Sequence, residues 1–292
     1  MNASLPLNSD AAGPVISPHD GGTMSVDIGG TAINFTYSQY GVGECVLLMH
    51  GWLHTKEIWN KVIPELLATV PQVLVIDLPG FGDSPAPPTT LQSLSDYSLM
   101  VRRLLEKISA NTQLRAVVAD SFSARIILEI LKEGHQWECK RFLLSGCPFD
   151  GLPWLLKLVQ ATPVPRLLVR LIKALPRWAA EAIVDSFAWY TLRKREGNMA
   201  PIYAGAIASD PEVARNMLRA LSSRAGIPAR LKLKDLEIRL LRGQFDRLVS
   251  HASQARWARR LGATTIEIPG VGHTPMLEAS KLYSGEIAKL LE

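Results

Sequence analysis

The chain has 292 residues, 47% apolar and 20% charged, with a formal net charge of +5. That size and balance suit one large globular domain with room for an inserted subdomain, and they exclude a wholly disordered chain. Three cysteines, Cys45, Cys139 and Cys147, are too few and wrongly spaced for a disulfide framework or a metal cluster, so structural thiols in a reducing, cytoplasmic setting are expected.

Residues 1–22 are rich in Asn, Ser, Pro, Gly and Asp. They lack the basic and apolar regions of a signal peptide and read as a disordered lead-in. No run of about 20 apolar residues is available to span a bilayer. Segments 24–28 and 32–37 alternate as two antiparallel strands turned at Gly29 and Gly30. The short, mainly apolar runs 45–49, 73–76, 115–119 and 142–144 suit strands buried on both faces of a mainly parallel sheet. Between them, Ile58, Trp59, Val62, Ile63, Leu66 and Leu67 recur at helical spacing, as do Tyr97, Met100, Val101, Leu104, Leu105 and Ile108. Another helix begins at 124–131.

The strand–helix rhythm then stops. Segment 148–234 is helical in pattern, with Leu167, Leu168, Leu171, Ile172 and Leu175 on one face and Arg166, Arg170, Lys173 and Arg177 on another. Gly151 to Asp235 carries 14 Lys and Arg against 6 Asp and Glu, so the basic excess of the chain resides there. The rhythm resumes with a strand at 238–241, a helix at 252–261, a strand at 265–268 and a closing helix at 281–291. Alternating β and α elements predict a sheet of about eight strands, mainly parallel, with helices on both faces. The expected organisation is a core of 23–147 and 235–292 interrupted by a helical cap at 148–234, over the sheet edge where ligands bind in open α/β folds.

Four landmarks carry a resemblance. His50-Gly51-Trp52 follows the first buried strand. Asp77-Leu78-Pro79-Gly80-Phe81-Gly82-Asp83-Ser84 is a D-x-P-G-x-G-x-S loop. Ser121 lies at a strand-to-helix turn. Asp246 and His273 each lie just beyond a later strand, giving the order Ser, Asp, His. These features resemble the α/β-hydrolase superfamily, in its cap-bearing serine hydrolase and esterase branch, from about Met24 to Leu291. The departure is at the elbow: G-x-S-x-G in the family, Ala119-Asp120-Ser121-Phe122-Ser123 here, a tighter turn with a carboxylate beside the serine.

The resemblance implies Ser121 as nucleophile, His273 as general base and Asp246 as its orienting acid, with Asp150 as a second candidate for the acid. Backbone N–H groups of Trp52 and Phe122 would form the oxyanion hole, and His50 would be a structural turn residue. Trp154, Trp178 and Trp189 are candidate pocket residues, against the competing reading of core packing within the cap. No metal or organic cofactor is required.

The implied activity is cleavage of a carboxylic ester or thioester through an acyl-enzyme on Ser121. The alternatives are a non-hydrolytic acyl-transfer, lyase or cyclase member, or a dehalogenase- or epoxide-hydrolase-like enzyme with Asp120 as nucleophile. The basic cap face reads as a solvated helix face, as a dock for an acidic carrier protein presenting a small acyl substrate, or, less favoured, as a contact for an anionic membrane surface. No motif points to nucleic acid.

Overall fold

The computed structural model describes residues 17–134, 138–151, 162–193, 197–222, 225–226, 233 and 235–292, without the side chains of 189 and 190. Eight strands form one sheet: β1 (Asp20–Ile28), β2 (Thr31–Gly41), β3 (Cys45–Met49), β4 (Gln72–Ile76), β5 (Leu114–Asp120), β6 (Arg141–Ser145), β7 (Glu237–Gly243) and β8 (Thr264–Ile268). Their order is β1-β2-β4-β3-β5-β6-β7-β8. β1 and β2 pair antiparallel, and β2 runs antiparallel to β4; from β4 to β8 every pairing is parallel. β3 and β4 are buried along their whole length, as continuous apolar runs in a parallel sheet require.

One face of the sheet is covered by α2 (Leu94–Ser109), α3 (Phe122–Lys132) and α8 (His251–Leu261), through Tyr97, Leu104, Ile127 and Trp257. A capping box starts α2: the Ser93 hydroxyl accepts from Asp96 N, and the Asp96 carboxylate accepts from Ser93 N. The opposite face carries α1 (Ile63–Leu66) and α10 (Ser280–Leu291), through Ile63, Leu66, Tyr283 and Ile287. A short helix, α9 (Pro275–Glu278), precedes α10.

Two expectations shift. The helical spacing over 58–67 gives a 3₁₀ turn at Lys56–Trp59 and then the four-residue α1, because Pro64 can start a helix but cannot continue one from the preceding turn. β1 begins at Asp20, inside the stretch read as a disordered lead-in: Asp20, Gly21 and Gly22 pair with Gln39, Ser38 and Tyr37, and Tyr37 Oη donates to Asp20 Oδ2 at 3.1 Å. The long β2 supplies ladder partners that the low β-propensity of two glycines does not suggest.

Four described helices lie between β6 and β7: α4 (Val164–Ala174), α5 (Arg177–Thr191), α6 (Met199–Ala208) and α7 (Pro211–Ser222). They pack onto loops at the C-terminal edge of the sheet. A Cβ on Gly205 of α6 would lie 2.2 Å from Leu53 O, so glycine lets this helix rest on the turn after β3. Trp52 Nε1 donates to Ala214 O of α7 at 2.8 Å, and His273 N donates to Thr191 O at 2.6 Å. Along α4 the expected apolar face divides: Ile172 is buried, Leu168 and Leu175 are partly buried, and Leu167 and Leu171 are half exposed. The basic face is largely occupied inside the insertion. Arg166 pairs with Glu212 at 2.7 Å, Lys173 Nζ donates to Ser209 O at 3.0 Å, and Arg177 pairs with Glu181 at 2.8 Å.

Candidate active site

β5 ends at Asp120 and α3 begins at Phe122, leaving Ser121 to make the turn alone at φ 49° and ψ −100°. A non-glycine residue in that region costs about 1–3 kcal/mol and persists where its surroundings hold it. Here Ser121 N donates to Ser145 O at 2.7 Å, and Ser121 O accepts from Arg125 N at 3.1 Å. Ser123 occupies the usual glycine position with a structural purpose: its hydroxyl accepts from Asp120 N at 3.0 Å and donates to Met49 O at 2.7 Å, tying β5 to β3. Opposite, a Cβ on Gly51 would stand 3.2 Å from Ser121 Cβ and 2.7 Å from Asp120 Oδ2, so the second residue of the His50-Gly51 turn must be small.

The loops after β7 and β8 bring Asp246 and His273 to this serine. Asp246 Oδ1 accepts from Leu248 N at 2.8 Å and Val249 N at 2.9 Å, which leaves Oδ2 directed at His273 Nδ1, 2.8 Å away. His273 Nε2 lies 3.0 Å from Ser121 Oγ. The consistent tautomer donates from Nδ1 to Asp246 and accepts the serine proton at Nε2. A Cβ on Gly146 would lie 2.7 Å from the imidazole Cε1, so a glycine after β6 makes room for the ring.

Burial alone would lower the His273 pKa, but the charge and hydrogen bond of Asp246, with further help from Asp120 and Glu278, raise it above its ordinary value. Burial likewise works to raise Asp246; His273 and the two backbone N–H groups outweigh it and hold the carboxyl below its usual range. The site is nearly closed, with Ser121 8% and His273 3% exposed.

The second candidate acid stands elsewhere. Asp150 accepts from Ser253 Oγ, from Trp257 Nε1 at 3.3 Å and from Arg256. Burial pushes its pKa up, but the Ser253 and Trp257 hydrogen bonds and the Arg256 charge bring it below the usual value.

Phe122 N–H opens α3, where a helix offers no internal acceptor, and Trp52 lies in the turn after β3. The Phe122 side chain is core, its ring 5.5 Å from Tyr97 and 6.3 Å from Phe81. His50 ties two loops together, with Nδ1 donating to Gly51 O at 2.7 Å and Nε2 accepting from Leu78 N at 2.9 Å; burial pushes its pKa down to about 4. The Asp77–Ser84 loop is tied both to itself, through Ser84 Oγ donating to Asp77 O at 2.7 Å, and to its surroundings. Asp77 accepts from Lys56 N and Nζ, both at 2.7 Å, and a Cβ on Gly82 would strike its carboxylate.

Of the three candidate pocket tryptophans, Trp178 is a correction. It is 75% exposed, because α5 turns Ala180, Val184 and Ala188 inward at spacings of four and Trp178 projects from the opposite side. Trp154 lies outside the described residues, as does the side chain of Trp189. The sequence reading missed His54, which is buried with Nδ1 3.7 Å from Asp120 Oδ2; no spacing rule singles it out.

The sequence profile described as "Alpha/beta hydrolase family" matches residues 46–284. The chain belongs to the α/β-hydrolase family. Among solved structures, this α/β-hydrolase superposes on a bromoperoxidase from Bacillus anthracis with a TM-score of 0.74 at 16% identity, covering 92% of this chain and 99% of that one. It superposes on a thermophilic esterase from Thermogutta terrifontis with a TM-score of 0.74 at 18% identity, covering 93% and 98%. At such identities the likeness is one of fold.

A pimeloyl-[acyl-carrier protein] methyl ester esterase from Legionella pneumophila is 32% identical over 76 residues, 26% of this chain and 28% of that protein's length. The enzyme of the same description from Aeromonas salmonicida is 34% identical over 67 residues, 23% of this chain and 24% of the relative. The matched stretch therefore spans about a quarter of these relatives. Among the described residues of this α/β-hydrolase, no helix is long and apolar enough to cross a membrane and no group of His, Cys, Asp or Glu is arranged to hold a metal.

Proposed function

We propose that this α/β-hydrolase is a serine hydrolase cleaving a carboxylic ester or thioester through an acyl-enzyme on Ser121. The observation that carries the reading is the continuous chain from Ser121 Oγ to His273 Nε2 at 3.0 Å and from His273 Nδ1 to Asp246 at 2.8 Å, with the serine at the apex of a strained turn. Ser121 attacks the carbonyl as His273 takes its proton. The Trp52 and Phe122 amides receive the oxyanion, and His273 returns the proton to the leaving group. Water activated by the same imidazole then releases the acid. Asp120 is less suited to the nucleophilic role: it ends β5, is fully buried, and directs its carboxylate at Gly51 and His54.

The finer proposal is that an acidic carrier protein delivers the acyl group. It draws support from the names of the partial relatives and from Arg170, exposed on α4 with Leu167 and Leu171. The test is labelling with a fluorophosphonate together with turnover of p-nitrophenyl esters. Wild type should react in both assays and Ser121→Ala in neither; equal labelling of the two proteins would remove Ser121 from the role. A Michaelis constant that rises with salt for a carrier-linked ester, but not for the free ester, would support the carrier.

A further inference from the structure

We propose that Asp120 is a positioning residue of this site: a second buried carboxylate that acts with Asp246 to stabilise the imidazolium formed at His273 when Ser121 gives up its proton. The proposal rests on the serine-hydrolase reading above. Asp120 is 0% exposed, and neither carboxylate oxygen has a hydrogen-bond partner among the described residues. His54 Nδ1 stands 3.7 Å from Oδ2, beyond hydrogen-bonding distance.

Burying an unpaired carboxylate is strongly unfavourable, and a residue needed only to fill the turn could be apolar. Ser145, opposite Asp120 in the β5–β6 register, and Tyr283 of α10 bring their hydroxyls together in the same interior. The groups bearing on Asp120 are His54 and His50 from the turn after β3, Cys147 from the loop after β6, Tyr283 from α10, and His273. The groups bearing on His273 are Ser121, Asp246, Asp120 and, from α9, Glu278.

Asp120 ends β5 directly before Ser121, and its complete burial keeps the carboxylate close to the nucleophile while charge develops. In a water-poor interior its field reaches the imidazole without contact. The proton leaves Ser121 Oγ and arrives at Nε2, so the positive charge created on the ring meets two carboxylates instead of one. The developing oxyanion lies toward the Trp52 and Phe122 amides. The same carboxylate opposes that negative charge, and the experiment reads the balance.

The test compares wild type with Asp120→Asn, which keeps the shape and removes the charge. kcat/KM for a p-nitrophenyl ester and the rate of fluorophosphonate labelling are measured against pH, with thermal unfolding as a check on folding. The expected result is an acid limb moved down by roughly 1 pH unit in both assays, with a fall in plateau kcat of about tenfold. If Asp120→Asn does not fold, Asp120→Ala must move the limb in the same direction. An acid limb that stays in place, or a plateau kcat that rises, overturns the proposal. Ser121→Ala in the same series separates the two readings. If it keeps its labelling, the serine-hydrolase reading fails. If it is silent while the Asp120→Asn limb does not move, only the role of Asp120 fails.

Discussion

His50 and His273 both follow strands at the same edge of the sheet, both are buried, and each has a carboxylate nearby, Asp77 at 3.9 Å and Asp246 at 2.8 Å. Their basicities move in opposite directions. Asp77 is engaged by Lys56 and lies beyond hydrogen-bonding distance, so desolvation rules and His50 falls to about 4. Asp246 points a free lone pair straight at Nδ1, so for His273 attraction outweighs desolvation. Burial alone therefore does not make a histidine basic or inert; the orientation of its neighbour does. The first ring is a neutral strut between two loops, and the second is poised to accept a proton.

The contrast breaks most sharply by substitution. His273→Ala is expected to reduce ester turnover by roughly 10⁴-fold or more with little loss of thermal stability, and Asp246→Asn by about 10⁴-fold because the tautomer is no longer held. His50→Ala should do the reverse: it leaves Leu78 N–H without its acceptor, and denaturant unfolding should register a loss of roughly 1–3 kcal/mol. A His50→Ala protein as stable as wild type, or a His273→Ala protein of undiminished activity, would end the distinction.

A pH series sharpens it. The proposed mechanism requires neutral His273, so kcat/KM should rise with pH through a midpoint above the ordinary histidine value of 6.5. For stability the signs differ by group. The raised His273 contributes fully below pH 6.5, and its contribution is lost as pH rises through its folded-state pKa. The depressed Asp246 contributes above its unfolded value of 3.8, and that contribution is lost as pH falls through its folded-state pKa. His50 resists protonation, so stability should fall between pH 6.5 and about 4, by an amount on the order of 3 kcal/mol.

A smaller effect tests the scaffold around His50. Gly82→Ala sets a Cβ against the Asp77 carboxylate at a φ of +57°, and should lower the melting temperature while leaving the acid limb in place. Smallest of all, Trp178→Ala should change stability by no more than about 0.5 kcal/mol, because the ring covers little.

Trp178 also marks where the sequence became hard to read. The sheet was legible because buried parallel strands write themselves as unbroken apolar runs, and Cys45–Met49 is a strand with the limits its composition suggests. Ser121, Asp246 and His273 could be singled out as candidates because each lies within five residues of the end of a strand, β5, β7 and β8. The insertion was less so. Leu167 and Leu171 share a helical spacing with Ile172 yet stay half exposed, since amphipathic pattern names a face without naming what covers it. The surroundings of Asp120 and of His54 depend on the approach of distant loops, which leaves no local trace.

The Ser123 hydroxyl carries a consequence for any attempt to restore the common glycine at that position. In most elbows of this kind emptiness permits the bend; here a rivet between adjacent strands secures it. Replacing the serine with glycine would open space while withdrawing the fastener, so a change that looks like a return to consensus would leave the bend less firmly set.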